Sequence, residues 1–222
     1  MRDTITFVLN NKIERVSGLS GDTTLLNWLR SAKRLTGSKE GCAEGDCGAC
    51  TVVIARPDEK GSIRWHPVNA CIQFMGMLEG VSVTTVEGVS GTGGGTKTAD
   101  VGSGKRLHPV QKALVDFHGS QCGFCTPGFV MTMFAAWCNG DGLAPNQIDT
   151  TLAGNLCRCT GYRPIVDAAT SLKNGAVPPD YEKRRRTAEV ELMKEIAHQE
   201  TICLSDDRRR FIAPTSADDF AE

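Results

Sequence analysis

The sequence predicts an α+β chain made of two small domains, a strand-rich one followed by a helical one. Three observations carry this. Short β-branched runs fill residues 4–9, 12–16, 51–55 and 81–86, whereas beyond residue 108 the apolar residues recur at helical spacing. Between these halves, residues 88–106 read GVSGTGGGTKTADVGSGKR, too poor in apolar side chains to offset the entropy of ordering them. Of the ten cysteines, Cys42, Cys47, Cys50 and Cys71 lie before this stretch and Cys122, Cys125, Cys157 and Cys159 after it. The division is therefore a first domain at 1–88, a linker at 89–107, a second domain at 108–177 and a connector at 178–222.

In order along the chain, TITFVL and KIERV flank Asn10-Asn11, a pair that tolerates the positive φ of a tight hairpin turn. Leu25, Leu26, Trp28 and Leu29 then fall near helical spacing, with Thr23 or Thr24 able to cap, which predicts a helix to about Leu35. TVVIA and VSVTTV supply two further strands, so the first half is a small sheet packed on one helix. After the linker, helical segments are expected at 110–117, 127–138, 147–153 and 165–172, a compact four-helix arrangement. In the connector a helix is expected at 181–198, with Val190, Met193 and Ala197 sharing a face. The charge runs Lys183 to Arg186 and Arg208 to Arg210 read as solvated surface. The Gly-Lys that ends the linker does not make a phosphate loop, because Ala99 and Arg106 stand where Gly and Ser or Thr are required.

A formal net charge of -1 gives no bulk electrostatic reason to expect nucleic acid or an anionic membrane as partner. The N-terminal residues lack the basic and apolar regions of a secretory signal, and no apolar run approaches the roughly 18 residues of a membrane span. The expected setting is a reducing cytoplasm, where clustered thiols serve as metal ligands more readily than as disulfides.

The first cysteine group, GCAEGDCGAC followed by Cys71, has the four- and two-residue gaps by which plant-type ferredoxins wrap a 2Fe-2S cluster. Its glycines allow backbone N–H groups to turn toward sulfide and thiolate. A zinc site prefers paired two-residue spacings and has no need of the longer gap, so iron–sulfur is favoured here. The second group, QCGFCTPG with NLCRCTGY, is a pair of pairs that on spacing alone suits zinc as well as iron. Thr126 as cap and Pro127 in the first turn would set a helix N-terminus, and its positive dipole end, beside these thiolates. Cys138 falls on an apolar helical pattern and reads as a buried small hydrophobe; Cys203 carries no signal. His108, before Pro109, reads as structural or capping.

The blocks KEGCAEGDCGACTV, VNACI, RLHPVQ, GSQCGFCTPGFVM and LAGNLCRCTGYRPI resemble, in order, the iron–sulfur region of xanthine dehydrogenase and the wider molybdenum hydroxylase family, which includes aldehyde oxidases and carbon monoxide dehydrogenases. The resemblance implies a β-grasp, plant-type ferredoxin-like domain followed by an all-α four-helix domain, each with one 2Fe-2S cluster. It implies that Cys122, Cys125, Cys157 and Cys159 hold the cluster nearer molybdenum, and Cys42, Cys47, Cys50 and Cys71 the one nearer flavin. Gln121 and Cys159 match positions that approach the pterin. Electrons would pass from a molybdopterin centre through both clusters to FAD and then NAD or oxygen, within a hetero-oligomer. Residues 211–220 (FIAPTSADDF) resemble the opening of the family's flavin domain, and molybdopterin and FAD are expected on partner chains or a missing domain. Within the family the sequence looks most like xanthine dehydrogenases. An independent two-cluster ferredoxin, the same component of an aldehyde or heteroaromatic hydroxylase, and a zinc-stabilised module are the alternatives.

Overall fold

The computed structural model describes residues 2–58, 60–90, 107–172, 180–196 and 200–221, with the backbone alone for 180–185. Most of the linker and Ala197 lie outside the described residues, as do the side chains of Lys183, Arg184 and Arg185.

Strand β1 (Ile5–Leu9) turns through Asn10 and Asn11, at φ 50° and 62°, into β2 (Lys12–Val16). Two successive positive φ values are what a two-residue hairpin loop needs to match strand twist. Helix α1 (Leu25–Ser31) starts at Thr24, whose hydroxyl accepts the Asn27 N–H at 3.3 Å. It ends short of Leu35, because Arg34 takes a left-handed φ of 58° and the Leu35 N–H returns to the Leu29 carbonyl. That turn brings Leu35 back against the core.

Strands β3 (Thr51–Pro57), β4 (Ile63–Asn69) and β5 (Ser82–Thr84) complete a sheet of order β2-β1-β5-β3-β4, with β1 and β5 parallel and the other pairs antiparallel. The segment leading to Cys71 contains β4, whose alternation is interrupted by Pro67. A proline is compatible with this strand only because β4 is an edge. Asn139 caps that edge as a neighbouring strand would: its Oδ1 accepts the Trp65 N–H at 3.0 Å and its Nδ2 donates to the Trp65 carbonyl at 2.8 Å.

Beyond the sheet come α2 (Val86–Val89), α3 (Pro109–Asp116), α4 (Thr126–Asn139), α5 (Ile148–Leu152) and α6 (Arg163–Ser171). His108 caps α3: its Nδ1 accepts the Val110 N–H, while the Gln111 side chain accepts the N–H of His108. Helix α4 is buried from Gly128 to Cys138 and stops at Gly140, φ 74°. The helices do not close a core among themselves. Val53, Ala55 and Trp65 of the sheet belong to the same cluster as Phe129, Phe134 and Ile165. On the opposite face, Phe7, Val52 and Ile54 pack with α1. Both faces of β1 and β3 are covered, which is why ITFVL and TVVIA are continuous apolar runs rather than alternating ones.

Helix α7 (Asp180–Glu195) crosses the back of the sheet, with Val190, Met193 and Ile196 packed near Val8. Glu189, fully buried, accepts hydrogen bonds from Trp65 Nε1 at 3.3 Å and Ser82 Oγ at 2.6 Å. Arg186, in the charge run read as solvated, instead lies 4.9 Å from the Trp65 ring and 5.4 Å from that of Trp137. Arg208, Arg209 and Arg210 are exposed. They belong to a hairpin, β6 (Ile202–Ser205) with β7 (Arg210–Ala213), that docks on the first core through Ile202, Leu204 and Phe211. Helix α8 (Ala217–Ala221) follows. Among the described residues, no helix is long and apolar enough to cross a membrane.

Asn139→Ala leaves a backbone donor and acceptor of the buried Trp65 without their partners. We expect a loss of about 1–3 kcal/mol in denaturant unfolding, with faster hydrogen exchange at the Trp65 amide. An unchanged exchange rate would show that Asn139 does not protect this edge.

Candidate metal centres

The loop from Gly41 to Cys50 is turned inward by left-handed residues: Ala43 at φ 60°, Gly45 at 83° and Gly48 at 68°. The N–H groups of Asp46 and Cys47 point at Cys42 Sγ, each at 3.3 Å. Hydrogen bonds from Cys47, Glu44 and Asp46 lower the Cys42 pKa to about 7, which favours the thiolate. Cys50, buried at the start of β3, is pushed up to about 12 by burial. Cys42 lies within hydrogen-bond reach of Cys47, and Cys50 of Cys71, so the four thiols form two pairs.

The second group lies where the turn before α4 meets the turn before α6. Thr126 does not cap α4, as its hydroxyl is 2.8 Å from that of Ser120, and Cys125 occupies the cap position without a side-chain bond. Pro127 is in the first turn, so the positive end of a 14-residue helix faces the thiols as the sequence implied. Cys122 Sγ is 3.4 Å from Cys159 Sγ, and Cys125 is within hydrogen-bond reach of Cys157. These thiols are again paired two and two. They line a recess of about 390 Å³ together with Phe124, Leu156, Arg158 and Tyr162.

The N–H of Phe124 lowers the Cys122 pKa, whereas burial pushes Cys125 up to about 12. Cys157 is raised by burial, but the Thr160 hydroxyl 3.1 Å away and backbone N–H groups more than offset this and bring it down. Tyr162, at φ 68°, sends its hydroxyl back to accept the Cys157 N–H at 2.9 Å. Neither Thr160 nor Tyr162 was singled out in the sequence, where nothing distinguishes a loop tyrosine with positive φ.

Among the described residues, no three His, Cys, Asp or Glu side chains converge as a single ion would require. Each group brings four thiols together in two pairs, the number and kind of donor that a 2Fe-2S cluster would need. Gln121 is exposed beside Cys122, itself exposed like Cys159. Cys138 is buried in the α4 core, outside both groups; Cys203 is half-buried in β6 opposite Ile212.

The two groups also meet each other. The Leu156 N–H donates to the Cys47 carbonyl at 3.0 Å, joining the residue before Cys157 to a cysteine of the first centre.

Comparison with known proteins assigns each cysteine group to a 2Fe-2S-binding domain. Residues 7–74 match the family described as 2Fe-2S iron-sulfur cluster binding domain, and residues 85–170 the one described as 2Fe-2S binding domain. The chain is 49% identical over 164 residues to aldehyde oxidase 1 of Rattus norvegicus, a match covering 73% of this chain and 11% of that protein. It is 47% identical over 164 residues to xanthine dehydrogenase of Drosophila pseudoobscura pseudoobscura, with the same coverage. The chain thus spans about a tenth of the length of these relatives. Among solved structures, it resembles a chain of quinoline 2-oxidoreductase from Pseudomonas putida 86 with TM-score 0.59 and 30% identity, over 84% of this chain and 97% of that one. Aldehyde oxidoreductase from Desulfovibrio gigas matches with TM-score 0.61 and 32% identity, over 76% of this chain and 16% of that one. Because both 2Fe-2S-binding family models match the chain, and it is 30% identical to the quinoline 2-oxidoreductase chain of which it covers 97%, the chain belongs to the molybdenum hydroxylase family, as its two-cluster iron–sulfur region.

Proposed function

We propose that this chain is the electron-transfer component of a xanthine dehydrogenase-like molybdenum hydroxylase, working between a molybdopterin-binding partner and an FAD-binding partner that reduces NAD. The observation that carries this is the twofold pairing of thiols at two centres whose loops are hydrogen-bonded to each other. Each 2Fe-2S centre, when bound, takes up and returns one electron.

In this reading Cys42 and Cys47 hold one iron and Cys50 and Cys71 the other, on the flavin side. Cys122 with Cys159, and Cys125 with Cys157, hold the second pair of irons, on the molybdenum side. The N–H groups of Asp46 and Cys47 stabilise charge on Cys42 Sγ, and the α4 N-terminus does so for the second group. Exposed Gln121 and Cys159 face the pterin of the partner. The domains run over 1–88 and 108–177, the second built on four helices, with 89–107 as linker and 178–222 leading toward the flavin partner. The assembly is a cytoplasmic hetero-oligomer, a reducing setting in which clustered thiols serve as metal ligands rather than as disulfides. Aldehyde oxidase and xanthine dehydrogenase match this region equally well, and xanthine is the substrate we favour, with aldehydes or other heteroaromatics determined by a pocket on the partner.

Anaerobically purified chain should contain about four irons and four sulfides and show two distinct EPR signals after dithionite reduction. A zinc-loaded, colourless preparation would exclude the proposal. Isolation as a monomer that reduces unrelated enzymes, with no molybdopterin partner in the source cell, would favour a stand-alone ferredoxin.

Substituting one ligand at a time tests the assignment. Cys71→Ser should alter the signal of the first centre only, and Cys159→Ser that of the second only. Simultaneous loss of both signals in either variant would contradict the division into two centres.

A further inference from the structure

One buried side chain outside both ligand sets touches both loops. Asn155, 3% exposed, stands two positions before Cys157. Its Nδ2 donates to the Gly48 carbonyl at 3.0 Å and to Thr51 Oγ1 at 3.2 Å, while its Oδ1 accepts from Thr132 Oγ1 at 2.6 Å. The Thr51 hydroxyl donates in turn to the same Gly48 carbonyl at 2.7 Å. The amide nitrogen donates toward two oxygens that are themselves 2.7 Å apart, and the amide oxygen accepts; neither Asp nor Leu offers that set.

Gly48 lies between Cys47 and Cys50, so the amide grips the first loop from inside its ligand span. Thr132 belongs to α4, the helix that begins beside Cys125. Asn155 therefore ties together the first loop and the two segments that carry the second group.

The backbones it joins are already at closest approach. A methyl group on Gly48 would come within 2.2 Å of the Gly154 carbonyl oxygen, and one on Gly128 within 2.2 Å of the Gly48 carbonyl oxygen. No side chain fits between them, and the loops can be displaced only outward. Next to Asn155, the Leu156 N–H makes its bond to the Cys47 carbonyl.

We propose that Asn155 is a positioning residue for electron exchange between the two centres, holding the Cys47 carbonyl and the Leu156 amide in register. This rests on the functional reading above. The step is a one-electron exchange in which one centre is oxidised and the other reduced, with no bond made or broken and no proton moved. Asn155 touches neither cluster and acts through the distance and orientation it imposes.

The test uses the full chain with both centres loaded, comparing wild type with Asn155→Ala and Thr132→Val. Iron content and the EPR signal of each centre reduced alone should be unchanged. In the doubly reduced protein the magnetic splitting between centres should shrink, and electron equilibration after rapid reduction of one centre should slow. Thr132→Val, which removes the anchor of the amide without touching either loop, should shift both readouts the same way by less. It decides the matter if Asn155→Ala does not assemble. Wild-type splitting and equilibration in fully loaded variants would overturn this proposal alone, whereas a wild-type chain lacking one centre would overturn the functional reading beneath it.

Discussion

The carbonyl oxygen of Gly48 accepts hydrogen bonds from Thr51 and Asn155, and the backbone of Gly128 lies so close to it that a Cβ there would overlap it. Three segments that are far apart in sequence depend on this contact: the first cysteine loop, the start of α4 and the turn before α6. It requires glycine at Gly48 twice over, for its left-handed φ and for the missing side chain. Gly128 meets the same requirement from the other side, in the first turn of a helix where glycine would otherwise be a weak choice. Through these two residues the sites are fixed to each other directly rather than through the bulk of the fold.

The centres share one chemical design built from different local structures. In each, one thiol is held near solvent among N–H donors, Cys42 in the first and Cys122 in the second, while a more enclosed thiol of the other pair, Cys50 or Cys125, has its ionisation opposed by burial. Bound iron would remove that opposition, since a thiol gives up its proton on coordinating a metal. In the first centre the N–H donors come from a loop of left-handed residues. In the second they come from Phe124, in the turn that opens α4, and from Cys159 and Thr160 beside Cys157, whose own N–H is held by the Tyr162 hydroxyl.

Much of this was legible in the sequence where a local rule governs. The Asn10-Asn11 hairpin, the capping by His108 and the cysteine loop each follow from a few neighbouring residues. What escaped was decided at long range. Strand β4 was obscured because Pro67 and the charged Arg64 are tolerable only at an edge, and the sequence does not say which strand is an edge. Thr126 had the right identity for a cap but is engaged by Ser120. Arg186 could not be told apart from the rest of its charge run because the two tryptophans beside it are distant in sequence. Asn155 lies inside the block LAGNLCRCTGYRPI, but nothing in that block shows what it holds, since its partners Gly48, Thr51 and Thr132 are assembled only by folding.

The outer face of the sheet, where Val53, Ala55 and Trp65 pack under the helices, bears on how such a region can evolve and be handled. Sequence families divide the chain into two units, but this wall belongs to both. A gene fragment ending at the glycine-rich stretch would encode every ligand of the first centre and still expose an apolar surface that invites self-association. Recombination between relatives would likewise have to preserve the shape of the buried seam, so the two halves are expected to be inherited together even though each carries its own metal.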